Sequence, residues 1–134
     1  MTEAVLDASV ILKWFRQAGE ERTEQAHALR ARFEAGTLTV FAPPLLFLEL
    51  LNVAAWRWRW SQQALTELAT HLERAAFELQ EPDLPTLAKW VGRGLTAYDA
   101  TYVALAEMLS ATSLLTTDAR LAAAPGIQCP VDVL

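Results

Sequence analysis

AVLDASVILKWF, residues 4–15, is the stretch on which the architecture turns. Ala4 to Leu6 is a short apolar run that closes on an acid, Asp7. Ala8 and Ser9 then lead into a second apolar segment, so the stretch reads as a buried strand feeding a turn. The pattern returns near the other end of the chain, where Ser113 to Thr116 closes on Asp118 and ARLAAA follows as a short helical turn. Between the two, LTVFA at residues 38–42 is another apolar strand. Pro43 and Pro44 end it, ahead of a helix that starts near Pro44 or Leu45 and is expected to continue to about Trp60.

The intervening segments have helical spacing. Thr23 to Ala35 places Ala26, Leu29 and Phe33 on one face, with Gly36 as its C-cap. Ser61 suits the N-cap of a helix over Gln62 to Ala75, and Phe77 to Leu79 is a weak strand. Leu84 to Val91 makes a short helix that stops around Gly92 and Gly94. Thr96 then caps a helix carrying Asp99, Tyr102, Val103, Leu105, Ala106 and Leu109. Ile127 to Val131 is the last expected strand. Strand and helix alternate throughout, which predicts a parallel sheet with helices on both faces.

With 134 residues the chain is expected to form a single domain over 1–134. The apolar fraction of 53% excludes a disordered tail, while charged residues at 20% leave surface for a partner, so an oligomer is expected. Eleven basic against 16 acidic residues give a net charge of −5, which argues against coating nucleic acid through bulk charge but not against local contact. Cys129 is the one cysteine and has no partner within the chain, as in a reducing compartment. The start MTEAVLDAS lacks the basic and apolar regions of a signal peptide. The longest apolar stretch, Val40 to Leu48, is interrupted by two prolines and is too short to span a membrane. A soluble cytoplasmic protein is the expectation.

Asp7, Glu49, Asp99 and Asp118 all fall where a strand ends or a helix begins, and in open parallel sheets that rim is where ligands bind. Carboxylates gathered in one pocket raise one another's pKa unless a cation compensates. Four oxygen donors suit magnesium or manganese, which could activate water against a phosphodiester. Zinc is not expected, because His27 and His71 lie in separate helices and Cys129 has no thiol nearby. An Asp after a strand is as often a turn residue or helix cap. Glu49 is the stronger functional candidate, since it interrupts LLFLELLNVAA, where an unpaired carboxylate is costly to bury.

Other residues admit two readings each. Ser9 and Thr117 are placed either to support the acids or to satisfy local backbone, and Asn52 lies on the helical face of Glu49. Lys13 is either an RNA or partner contact or a side chain with its stem against the core. Trp56 and Trp60, alternating with Arg57 and Arg59, suit base stacking with phosphate contact, but the balance is toward a subunit or partner interface. Arg93 and Arg120 are further candidates for RNA contact. No GxGxxG or GxxxxGK[ST] is present, and a phosphoacceptor receiver domain is disfavoured because no lysine follows Lys89.

VLDASVILKWF, PPLLFLELLNVAAWR, LTAYDATYVALAE and LLTTDARLA together resemble the PIN domain family, more narrowly its VapC-type toxins, over nearly the whole chain. The resemblance places Asp7, Glu49, Asp99 and Asp118 as the four family acids, in order, with Asn52 and Thr117 matching common neighbours. It implies a three-layer α/β/α fold around a parallel sheet of about four to five strands. It further implies a Mg2+- or Mn2+-dependent endoribonuclease that cuts transfer or ribosomal RNA to leave a 3'-hydroxyl and a 5'-phosphate. The implied partners are a cognate VapB-like antitoxin and a second copy of the chain, in a homodimer and a toxin–antitoxin hetero-oligomer. The alternatives are a PIN-like nuclease in RNA processing or on structured DNA, and a non-catalytic metal-binding scaffold.

Overall fold

A computed structural model describes residues 2–15, 23–110 and 112–134. Five strands, β1 (Thr2–Leu6), β2 (Leu38–Ala42), β3 (Glu78–Leu79), β4 (Ser113–Thr116) and β5 (Val131–Val133), form one sheet in the order β3-β2-β1-β4-β5. Every pairing is parallel, with Val5 opposite Phe41 on one side and Leu114 on the other. The chain therefore builds outward from β1 through β2 and β3, then returns to add β4 and β5 on β1's other flank. That reversal makes the β1/β4 boundary the topological switch point, where such sheets open a crevice beyond their carboxyl ends.

Helices α1 (Ala8–Leu12), α2 (Thr23–Glu34), α3 (Leu45–Asn52), α4 (Gln62–Arg74), α5 (Leu84–Gly92), α6 (Ala97–Met108) and α7 (Ala119–Ala122) cover both faces of the sheet. Strand side chains alternate between faces, and β1 divides accordingly. Ala4 and Leu6 join a core with Val10, Ile11, Ala26, Leu46 and Leu68 from α1 to α4. Val5 joins the opposite core with Trp90, Val103 and Leu121 from α5 to α7. The result is the expected three-layer α/β/α architecture with a five-stranded parallel sheet. No helix among the described residues is long and apolar enough to cross a membrane.

Most expected boundaries stand within a residue or two. Ser61 caps α4, its Oγ accepting from the Ala64 amide at 3.2 Å, and Thr96 caps α6 by accepting from the Asp99 amide at 3.1 Å. Three segments differ. The turn expected after Asp7 is a helix at once, because the Asp7 carbonyl accepts from the Val10 and Ile11 amides. The helix expected to reach Trp60 leaves α-geometry at Val53 for a π-helical turn, Val53–Arg57. Trp58 N–H there bonds the Val53 carbonyl, five residues back, and Arg59 at φ 59° is left-handed, a conformation that ends helices. Lastly, β5 begins at Val131 rather than Ile127, after Pro130, which has no N–H and joins the ladder only as acceptor for the Leu114 amide.

Glu107 ties α5, α6 and the approach to β5 together. Its Oε1 accepts from the indole N–H of fully buried Trp90 at 2.6 Å and from Lys89 Nζ at 3.3 Å, and its Oε2 accepts from the Gln128 amide at 3.1 Å. Glu107→Ala leaves the buried indole without its acceptor, and is expected to lower the unfolding free energy by about 1–3 kcal/mol. Urea titration followed by tryptophan fluorescence checks this, and an unchanged midpoint would show that the indole has another acceptor.

Candidate functional site at the sheet switch point

Asp7 follows β1 and is 6% exposed, a carboxylate that its surroundings must satisfy. Two hydroxyls do so. Ser9 Oγ donates to Asp7 Oδ1 at 2.5 Å, and Thr116 Oγ1, at the end of β4, donates to Asp7 Oδ2 at 2.5 Å. Each hydroxyl oxygen in turn accepts an amide from the turn after β4: Thr117 N–H reaches Ser9 Oγ, and Asp118 N–H reaches Thr116 Oγ1, both at 3.0 Å. A main-chain bond from the Asp7 amide to the Leu115 carbonyl at 3.1 Å completes the join. The ends of β1 and β4 are thereby closed around one carboxyl group.

The other three acids approach from separate elements. Glu49 lies in the second turn of α3, and its Oε1 accepts from the Tyr102 hydroxyl of α6 at 2.5 Å. Asp99 lies in the first turn of α6, and Asp118 caps α7, its Oδ1 accepting from the Arg120 amide at 2.9 Å. Electrostatics show how near they are to one another. Burial raises the Asp7 carboxyl above the usual range against its hydroxyl donors. Burial also raises Glu49, with Asp7 and Asp99 adding repulsion, and burial raises Asp99, with Asp118 adding to it. Tyr102 is pushed upward by burial and by Glu49, so its proton is firmly held.

The four acids thus form one electrostatically coupled group. Among the described residues, however, no three His, Cys, Asp or Glu side chains are drawn into a ready-made metal site. In kind the donors fit a hard divalent cation, since all are carboxylate oxygens. The raised proton affinity of Asp7, Glu49 and Asp99 is the mark of a group that a cation would relieve.

The supporting residues divide. Ser9 contacts Asp7 directly, whereas Thr117 contributes its main-chain N–H, and the hydroxyl on Asp7 is that of Thr116. Tyr102 and Thr116 are the two site residues that sequence reading missed. For Thr116 a signal was present: it closes the run Ser113–Thr116 at the carboxyl end of a strand, two residues ahead of Asp118. Asn52 is exposed and, among the described residues, hydrogen-bonds none of the four acids. It lines a shallow depression with Val53, Trp56 and Arg57, and Trp56 is 72% exposed.

Among the described contacts, Arg120 is a candidate cation brought to the acids. Its Nε lies 3.8 Å from Asp118 Oδ1, and its charge opposes the upward shift of Asp99. Lys13 is half-buried, and its carbonyl lies 3.1 Å from His27 Nε2 of α2. Arg59 is exposed, and Arg93 lies 5.0 Å from the centroid of the Trp90 ring. Trp60, expected to face a partner, is half-buried, packing on the core and lying 5.4 Å from Trp58.

The PIN domain profile matches residues 4–127, and the chain belongs to the PIN domain family. Among solved structures, that of PAE2754 from Pyrobaculum aerophilum is similar to the chain, with a TM-score of 0.61 and 26% sequence identity over 98% of this chain and 91% of the other. No curated protein matches. Family membership agrees with a nuclease-like activity in general.

Three raised carboxyls set the direction of the pH dependence. Between their ordinary and raised values the folded protein keeps protons that the unfolded chain has released, so stability falls as pH rises through that window. Asp83 and Glu107, both lowered, act in the opposite sense further into acid. In EDTA the protein is expected to melt at higher temperature in mild acid than at neutral pH. Asp99→Asn should flatten that slope and leave the neutral melting temperature equal or higher. A clear drop at neutral pH in the variant would make Asp99 a structural residue instead.

Proposed function

We propose that this protein is a Mg2+- or Mn2+-dependent endoribonuclease and the toxin of a type II toxin–antitoxin pair, acting in the cytoplasm on transfer or ribosomal RNA. The observation that supports it most is the buried Asp7 at the switch point, clamped by two hydroxyls, with Glu49, Asp99 and Asp118 in electrostatic range. Asp7, Glu49, Asp99 and Asp118 would hold the ion. When bound, such an ion supplies Lewis acidity at a phosphodiester and offsets the charge that develops there.

The chain's own residues do the rest. Ser9 and Thr116 keep the Asp7 carboxylate fixed and its lone pairs oriented. Arg120, exposed beside Asp118, is the cation available to a phosphate at the rim. Hydrolysis adds water across the P–O3' bond, leaving a 3'-hydroxyl on one fragment and a 5'-phosphate on the other. Exposed Leu48, Trp56, Leu84 and Tyr98 support a protein partner, in this reading a VapB-like antitoxin and a second copy of the chain.

The test is incubation of purified, antitoxin-free protein with total cellular RNA, with Mg2+ or Mn2+ and with EDTA, followed by mapping of new 5' ends. Discrete cuts are expected with metal, absent in EDTA and in Asp99→Asn. Folded protein that cuts nothing with either metal would overturn the ribonuclease reading, and cuts that persist in Asp99→Asn would remove that residue from the site.

A further inference from the structure

Glu49 and Tyr102 enter the acid group from different helices. Tyr102 lies one turn beyond Asp99 on α6, is 2% exposed, and reaches across to α3 to donate to Glu49 Oε1 at 2.5 Å. Asp7 has two hydroxyl donors, one for each oxygen. Glu49 has this one alone among the described residues, and its Oε2 accepts none. Glu49 is also only half-buried, next to Leu48 at 62% exposure, so a flexible glutamate here has an open route to solvent. Repulsion from Asp7 and Asp99 favours that route. A phenol has two rotatable bonds and a rigid ring, so a buried tyrosine fixes the acceptor it meets more firmly than a flexible side chain does.

We propose that Tyr102 is the positioning residue for Glu49. It holds one carboxylate oxygen against the repulsion of the neighbouring acids and leaves Oε2 for the divalent ion. This rests on the metal-dependent nuclease reading above. It adds that one helix, α6, both supplies an acid, Asp99, and sets the place of a second acid on α3.

Tyr102→Phe removes the hydroxyl and keeps the ring. Circular dichroism is expected to show the fold intact, while Mn2+ binding, read by electron paramagnetic resonance without RNA, weakens by about 10- to 100-fold. On RNA, kcat falls and KM stays. In a Glu49→Gln background the same change should add no further loss of Mn2+ binding. Installing 4-aminophenylalanine at position 102 restores an N–H donor and should recover Mn2+ binding, which a merely structural role would not predict. Should Tyr102→Phe unfold, the folded 4-aminophenylalanine protein carries the test by the same Mn2+ titration. The proposal is overturned if Tyr102→Phe binds Mn2+ as the parent does, or loses as much in the Glu49→Gln background as in the parent. A parent protein that binds Mn2+ and cuts RNA beside an unaltered variant removes only the positioning role. A parent that does neither removes the nuclease reading and this proposal with it.

Discussion

The carboxylate of Asp7 is the constraint on which the rest of the site depends. Buried at the end of the central strand, it must be met by donors from within the protein or be expelled. Ser9 and Thr116 meet it, and because each hydroxyl also accepts an amide from the turn after β4, the same two side chains fix that turn. Asp118 stands where it does because its own N–H is one of those amides. A parallel sheet whose strand order reverses at β1/β4 brings the acids to its carboxyl edge, and the Asp7 clamp ties the ends of those two strands together.

Around that fixed point the remaining acids are held by helix geometry. Thr96 caps α6 through the Asp99 amide, placing this acid in the first turn, where the helix N-terminus favours negative charge. Tyr102, one turn later, reaches α3 and Glu49. Burial opposes ionisation at Asp7, Glu49 and Asp99, and repulsion from neighbouring acids adds to it at Glu49 and Asp99. The fold therefore carries a local electrostatic cost at the acids, opposed in part by the three hydroxyl donors and by the two cores of the sheet. Sites that work by charge are commonly built at such a cost to stability.

How much of this was legible depends on which physical signal fixes each element. Strands that close on an acid, Ala4–Leu6 and Ser113–Thr116, were readable because buried parallel strands are continuous apolar runs. Ser61 and Thr96 were readable as caps for the chemical reason that makes them caps. The four acids could be placed at the rim from chain order alone. Tyr102 could not, because its partner is 53 residues away and the pairing exists only once α3 and α6 meet. The stretch from Val53 to Trp60 misled because tertiary packing of Trp58 and Trp60 on the core overrode a helical register. Pro130 gave a local signal, a missing donor, that should have moved β5 onward.

Net charge says less than the placement of one arginine. The chain carries −5 overall, and its acid group is a region that repels phosphate. Arg120 lies at the edge of this region, 95% exposed, 3.8 Å from an Asp118 oxygen. A pair so exposed contributes little to stability, so nothing substantial holds Arg120 to Asp118 when a stronger anion arrives. A guanidinium can meet phosphate oxygens with two parallel hydrogen bonds, which a single contact to Asp118 does not match. In the nuclease reading proposed above, the acids would take positive charge from a bound cation while Arg120 offers its own to phosphate, and a phosphodiester accompanied by a cation would satisfy both.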